Sequence, residues 1–249
     1  MLTIKNLNKN FGNCQAVNNL NLELAKGEIF GFLGPNGAGK TTTIKMIASL
    51  LHPCSGQILI DDIDVHLSPV AAKQHLSYIP DEPYLYEKLT GYESLQLIGK
   101  LRQIPPLLVK ERIEESFLLF NLEEFAHQYT ENYSHGTRQK FVFACALLSR
   151  PKLLLIDEPM VGLDPQNSFL VKNLLRQIAT QNQVTIFLST HTLSLAEEIC
   201  DRIGIINHGQ LLACGTIPEL KQQAHAENMN LEQLFLTLTG QANAQQLIW

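Results

Sequence analysis

The apolar positions of this chain switch between two periods. Leu20, Leu22 and Leu24 alternate with Asn21 and Glu23, the two-residue period of a half-buried strand. After a turn at Lys26-Gly27 comes a second, apolar strand, Ile29-Phe-Gly-Phe-Leu33. A glycine-rich turn follows. Ile44, Ile47, Ala48 and Leu51 then fall three and four apart, which predicts a helix from Thr41 to about Leu51, stopped before Pro53. Ile58 to Ile60 and Leu76 to Ile79 read as short strands, and Tyr92 to Ala126 is helical in pattern with a break at Pro105-Pro106. This helical stretch reads as a subdomain inserted into an α/β core. Alternation resumes with a strand at Leu153 to Ile156, a helix at about Asn167 to Ala179, a strand at Val184 to Ser189 and a helix near Leu195 to Cys200. Ile203 to Ala213 is hairpin-like, turning at Asn207-His208-Gly209, and Ile217 to Trp249 reads as a helical appendage.

Composition narrows the class. With 249 residues, 45% of them apolar, the chain has material for one large domain or two small ones with a real core. No self-similar period suggests stacked repeats. The net charge of −5 arises from interspersed acids and bases, without the Lys/Arg clusters of a nucleic-acid phosphate track, so direct nucleic-acid binding is disfavoured. Cys14, Cys54, Cys145, Cys200 and Cys214 are scattered, odd in number and mostly in apolar segments. They read as reduced, buried thiols rather than disulfides or zinc ligands, which points to the cytosol. The longest nearly apolar run, Phe141 to Leu148, is far short of the roughly 20 residues of a membrane-spanning helix. Met1-Leu2-Thr3-Ile4 is not a signal peptide. Any service to a membrane therefore requires another chain to cross it.

The chemistry begins in the glycine-rich turn. Gly34-Pro-Asn36-Gly37-Ala38-Gly39-Lys40-Thr41 fits G-x-x-x-x-G-K-[ST] at every required position and lies between a strand and a helix, as a P-loop must. Backbone N–H groups freed by the glycines and the positive end of the helix surround the α- and β-phosphates of a nucleotide. Lys40 reaches the β- and γ-phosphates, Thr41 offers a hydroxyl to Mg²⁺, and Thr42 continues the phosphate-facing turn. Leu153 to Ile156 ends in Asp157-Glu158, and two carboxylates closing a buried strand are expensive without a cation. Beside a P-loop that cation is magnesium. Asp157 is its expected ligand, directly or through water, and Glu158 is the candidate base for a water attacking the γ-phosphate.

Further motifs carry a family resemblance. Tyr133-Ser134-His135-Gly136-Thr137 resembles the LSGGQ signature of ABC (ATP-binding cassette) ATPases and precedes Asp157-Glu158 at that family's short interval. Gly162-Leu163-Asp164 resembles the D-loop, and His191, after Ser189-Thr190, resembles the H-loop histidine. Phe11 resembles the aromatic residue that stacks on adenine, with Val17 beneath the ribose. The resemblance runs from Met1 to about Leu220. It implies a P-loop NTPase (RecA-like) core with an antiparallel edge sheet, residues 1–220, holding a helical subdomain at about 84–148 and followed by the appendage 221–249. It also implies an Mg²⁺-dependent ATPase that forms a head-to-tail dimer around two ATP molecules, as a homodimer or with a paired cassette subunit. Each site then takes Ser134 and Gly136 from the opposite subunit, with Asp164 linking the two sites. A separate membrane-spanning permease is the implied partner, export is favoured over import, and the place is the cytoplasmic face of a membrane.

Departures from the family pattern are specific. Tyr133, His135 and Thr137 replace three signature residues, with similar variants in ATPases of the ABC-2 exporter type, which the C-terminal stretch Leu231 to Gly240 also resembles. In Pro80-Asp81-Glu82-Pro83, Asp81 stands where most relatives carry glutamine, so it too is a candidate metal-facing residue. Tyr84 to Leu89 falls where the family has a groove for the permease. His127 and His208 have no motif around them and are assigned no role. A soluble ABC ATPase uncoupled from transport is the first rival reading. A P-loop kinase or GTPase is the second, but it would not need signature, D-loop and H-loop together.

Overall fold

In the computed structural model, residues 1–82, 84–158, 165–224 and 229–240 are described. Two sheets organise them. The first is antiparallel, in the order β2-β1-β4-β5, from β1 (Leu2–Phe11), β2 (Cys14–Leu24), β4 (Ser55–Ile60) and β5 (Ile63–Asp64). The second has the order β10-β9-β3-β8-β7-β6, from β3 (Ile29–Leu33), β6 (Leu76–Ile79), β7 (Leu153–Asp157), β8 (Thr185–Thr190), β9 (Arg202–Asn207) and β10 (Gln210–Gly215). Its five strands from β9 to β6 run parallel, and β10 returns antiparallel at the edge. β3, β7 and β8 are buried at every residue, which is why their sequences are continuous apolar runs rather than alternations.

Helices cover the parallel sheet. α1 (Lys40–Ile47) packs between the sheets, where Ile44, Met46 and Ile47 meet Phe30, Phe32 and Phe187 in one core with the inward faces of β1 and β2. A second core joins the other face of the parallel sheet to α3 (Gly91–Leu101), α4 (Pro106–Phe120), α5 (His135–Leu147) and α6 (Pro165–Asn182). A third gathers Ala196 of α7 (Leu193–Ile199), Leu220 of α8 (Ile217–Gln223) and Leu231, Leu234 and Phe235 of α9 (Leu231–Leu238) against β9. α2 (Pro69–His75) leads into β6. The caps follow sequence: Thr90 and Glu93 make a capping box on α3, Pro106 opens α4, and Thr216 with Glu219 caps α8.

Where structure and pattern differ, local chemistry explains it. β1 is invisible to an alternation test because its pairing with β2 is interrupted at several points. At Asn6 (φ 48°) and Asn19 (φ 49°) the backbone is left-handed, a conformation asparagine tolerates. Asparagine side chains also complete the pairing there: Asn21 Oδ1 accepts from Asn6 N and Asn8 Oδ1 from Asn19 N, both at 2.8 Å. α1 stops at Ile47 rather than Leu51, because Ser49 turns left-handed at φ 54°. The buried-thiol reading holds for three cysteines only. Cys145, Cys200 and Cys214 are wholly or partly covered, and burial pushes the Cys200 thiol up to about 12, whereas Cys14 and Cys54 are exposed; all five are free.

Candidate functional site

The site lies at the C-terminal ends of β3, β7 and β8, where register fixes which residues meet. Leu33 pairs with Thr190 and Asp157 with Ser189, so the P-loop, the acidic pair and His191 all leave the sheet at one level. The P-loop glycines answer to close packing. A Cβ on Gly34 would collide with the carbonyl of Ile206, and one on Gly39, whose φ is 108°, with the carbonyl of Ala16. α1 has no side-chain cap and no acid in its first turn, so its own residues leave its N-terminal N–H groups open to an anion.

Lys40 is buried at 7% exposure, donating to Gly34 O at 2.7 Å and Pro35 O at 3.2 Å. Desolvation lowers its pKa, opposed by Glu158 and Asp157. Asp157, 2% exposed, accepts from Ser189 Oγ. Glu158 follows at φ 51°, its N–H bonded to Ser189 O at 3.1 Å. Its Oε1 meets His191 Nδ1 at 2.8 Å, while Oε2 accepts from Thr190 Oγ1 at 3.3 Å and His191 N at 3.4 Å. Glu158 and His191 are therefore one hydrogen-bonded unit. Asp81 joins the group: burial, then Asp157, Glu158 and Glu82, raise its pKa, with His191 opposing.

These groups border a cleft of about 310 Å³, whose walls are Asn36 to Thr42, Asp81, Asp157 and Glu158, with Cys14, Gln15, Ala16 and His208. The last four were not anticipated. The β9–β10 turn reaches the P-loop through sheet order and β2 by packing across from the other sheet, for which no local motif exists. Val17 requires a correction: it is fully buried in the core between the sheets, and Ala16, its neighbour on the opposite face, lines the cleft instead. Phe11 is half exposed, pairs with Cys14 across the strands, and carries Lys9 Nζ at 5.0 Å from its ring centroid. Ser134 does not border this cleft. It caps α5, accepting from Thr137 N at 3.2 Å, with Gly136 in that helix's first turn. Asp164 and the rest of the expected D-loop lie outside the described residues.

The signature departures have a structural account. Tyr133 is buried and donates to Phe125 O at 2.8 Å, its ring edge-on to Phe125 and Phe141. Its hydroxyl occupies the space a side chain on Gly91 would take. Thr137, where the common signature has glutamine, shares a 2.8 Å hydroxyl contact with Ser134.

The family model for ABC transporters matches residues 17–161. The chain belongs to the ABC transporter family. It is 36% identical over 220 residues to the linearmycin resistance ATP-binding protein LnrL of Bacillus subtilis, covering 88% of this chain and 70% of that protein. It is 34% identical over 223 residues to the bacitracin transport ATP-binding protein BcrA of Enterococcus faecalis, covering 90% and 71%. Identity is also 36% to the probable multidrug ABC transporter ATP-binding protein YbhF of Escherichia coli, of whose length the chain spans 41% and which covers 96% of this chain. The solved structure of an ATP-binding subunit of an ABC transporter superposes with a TM-score of 0.90 at 31% identity, covering 96% of this chain and 99% of that one. A dimeric cassette bound to ADP and Pi shares the fold, with a TM-score of 0.79 at 24% identity, covering 87% and 99%. The protein is thus an ATP-binding cassette with the P-loop NTPase fold. No helix among its described residues is long and apolar enough to cross a membrane.

Proposed function

We propose that this cassette hydrolyses ATP with Mg²⁺ as a dimer at the cytoplasmic face of a membrane and drives a separate permease chain, most consistent with export. The observation that carries the reading is the Glu158–His191 contact at 2.8 Å, held at the same sheet edge as Lys40 and Asp157. The P-loop N–H groups and Lys40 bind the phosphates. Thr41 and Asp157 offer the hard oxygens magnesium prefers, with Asp81 nearby. Among the described residues no three His, Cys, Asp or Glu side chains form a metal cage. When bound, magnesium neutralises charge developing on the phosphates. Glu158 accepts the proton of the attacking water, and His191 holds the carboxylate in position and faces the γ-phosphate. Ser134, Gly136 and the helix behind them serve the partner's nucleotide, and Asp164 links the two sites. Residues 1–220 form the cassette, with 84–148 as its helical insert and 221–249 appended.

The permease docks at a groove of about 270 Å³ between core and insert, bordered by Tyr78, Tyr84, Tyr86, Ile98 and Phe141. Tyr84 and Tyr86 are 91% and 59% exposed, which favours docking over internal packing. Export is favoured by LnrL and BcrA, named for resistance to linearmycin and transport of bacitracin. The test pairs two variants. Lys40→Ala weakens ATP binding; Glu158→Gln keeps binding, loses hydrolysis and accumulates as an ATP-bound dimer. Single-turnover hydrolysis by Glu158→Gln at the wild-type rate would overturn the catalytic reading.

A further inference from the structure

The hairpin turn between β9 and β10 lies against the nucleotide cleft, and no motif accounts for its being there. Its Gly209 N–H donates to Ala38 O of the P-loop at 2.9 Å, and its Gly209 carbonyl accepts from Asn18 N at 2.8 Å. Asn207 Nδ2 donates to Thr239 O at 3.2 Å, which ties the same turn to the end of α9. Both tip residues are left-handed, His208 at φ 46° and Gly209 at φ 77°. A Cβ on Gly209 would lie 2.9 Å from Ala16 O, so the turn is packed directly onto β2. His208 is thereby held at the cleft wall beside Ala16 and Gln15.

The direction of the cleft identifies what His208 meets. Asp81, Asp157 and Glu158 mark the γ-phosphate end under the functional reading above, and the P-loop occupies the middle. His208 follows β9 on one side of the P-loop strand β3, whereas Asp157, Glu158 and Asp81 come at the ends of β7 and β6 on the other side. His208, with Cys14, Gln15 and Ala16 of the adjoining β2, therefore borders the end away from the acids, which this reading gives to the nucleoside. An imidazole can donate from one nitrogen and accept at the other, which suits ribose hydroxyls or a base edge. A histidine also tolerates φ > 0 better than most side chains, so the turn presents a polar ring without a large backbone cost. Three anchors on the turn fix the backbone that carries the ring before ligand arrives.

We infer that His208 is a nucleoside-binding residue of this cassette, presented by a turn clamped between the P-loop, β2 and α9. This rests on the P-loop being the nucleotide site.

The experiment measures binding of ADP and of inorganic tripolyphosphate by calorimetry to wild type, His208→Gly and Lys40→Ala. Glycine removes the imidazole and keeps the left-handed turn. The expected result for His208→Gly is a Kd for ADP about threefold to tenfold higher, the loss of one hydrogen bond, with tripolyphosphate binding unchanged because it has no nucleoside. An unchanged ADP Kd overturns the inference. An equal loss for ADP and tripolyphosphate also overturns it, since His208 would then act on the phosphates or the P-loop. Lys40→Ala separates the two levels of the argument: if it binds both ligands like wild type, the P-loop reading itself is wrong. His208→Asn, which also tolerates the turn and retains a donor and an acceptor, is expected to recover part of the ADP affinity.

Discussion

Exchanging Gly91 and Tyr133 together probes how the signature segment is held. Ala at 91 places a Cβ against the Tyr133 hydroxyl, with Phe141 and Phe117 ring carbons next at 3.3 and 3.4 Å. The backbone is not the obstacle, since Gly91 opens α3 without a positive φ. Overpacking of this kind costs about 1–3 kcal/mol, against a gain of about 0.4–1 kcal/mol from stiffening the unfolded chain. Gly91→Ala alone is therefore expected to destabilise by about 1–2 kcal/mol. Tyr133→Phe alone removes the 2.8 Å bond to Phe125 O and is expected to cost about 1 kcal/mol. Burial pushes the phenol up to about 12, so the hydroxyl is a donor throughout the working pH range. In the double variant the clash disappears, and the total is expected to fall at least 1 kcal/mol below the sum of the singles. Urea denaturation of the four proteins, followed by circular dichroism, measures the cycle. Additivity within about 0.5 kcal/mol would refute the claim that the glycine exists to admit the tyrosine.

Three further outcomes are expected. Because Asp81 borders the same cleft as Asp157 and Glu158, half-saturating Mg²⁺ for ATPase activity is expected to shift in Asp81→Asn and Asp81→Gln at saturating ATP; identical values in both variants and wild type would show that Asp81 does not sense the metal. Tyr86→Glu is expected to release the permease in pull-down from membranes with basal ATPase nearly intact, and retained binding or a lost fold would rule out docking there. His66 has both ring nitrogens buried without a partner among the described residues, its ring tilted against that of His52 at 5.0 Å between centroids; burial, then His52, lowers its pKa, with Asp64 opposing. The unfolded chain therefore takes this proton first, so the contribution is complete above about pH 6.5 and is lost as pH falls towards the folded pKa. The urea midpoint is expected to drop between about pH 7.5 and 5.5, and less so in His66→Phe; an equal drop in the variant would remove His66 as the cause.

Elements with one dominant local signal were legible from residues alone. Leu76 to Ile79 is β6 to the residue, because a buried parallel strand admits little but apolar side chains. The P-loop and Asp157-Glu158 were legible because their chemistry dictates both residue type and spacing. What escaped depends on partners distant in sequence. β1 is tied to β2 by an asparagine side chain from each strand, Asn8 and Asn21, so its own alternation is poor. Val17 and Ala16 could not be told apart without knowing which face of β2 the P-loop approaches. His208 looked like one residue of a turn, and only the position of β9 beside β3 brings it to the cleft.

Register between the central strands acts as a measuring rule. Ile29 to Leu33 pair one for one with Ile186 to Thr190, and Leu153 to Asp157 with Thr185 to Ser189, without a bulge. One residue inserted within β8 would reverse the faces of everything beyond it and carry His191 about 3.3 Å away from Glu158. A change in length is tolerable only at the other end of the sheet, at connections such as Gln183, already left-handed at φ 55°, where an extra residue leaves the rule unread. A single-residue insertion scan scored for ATPase should divide along this line: silent near Gln183, lost from Ile186 to Thr190.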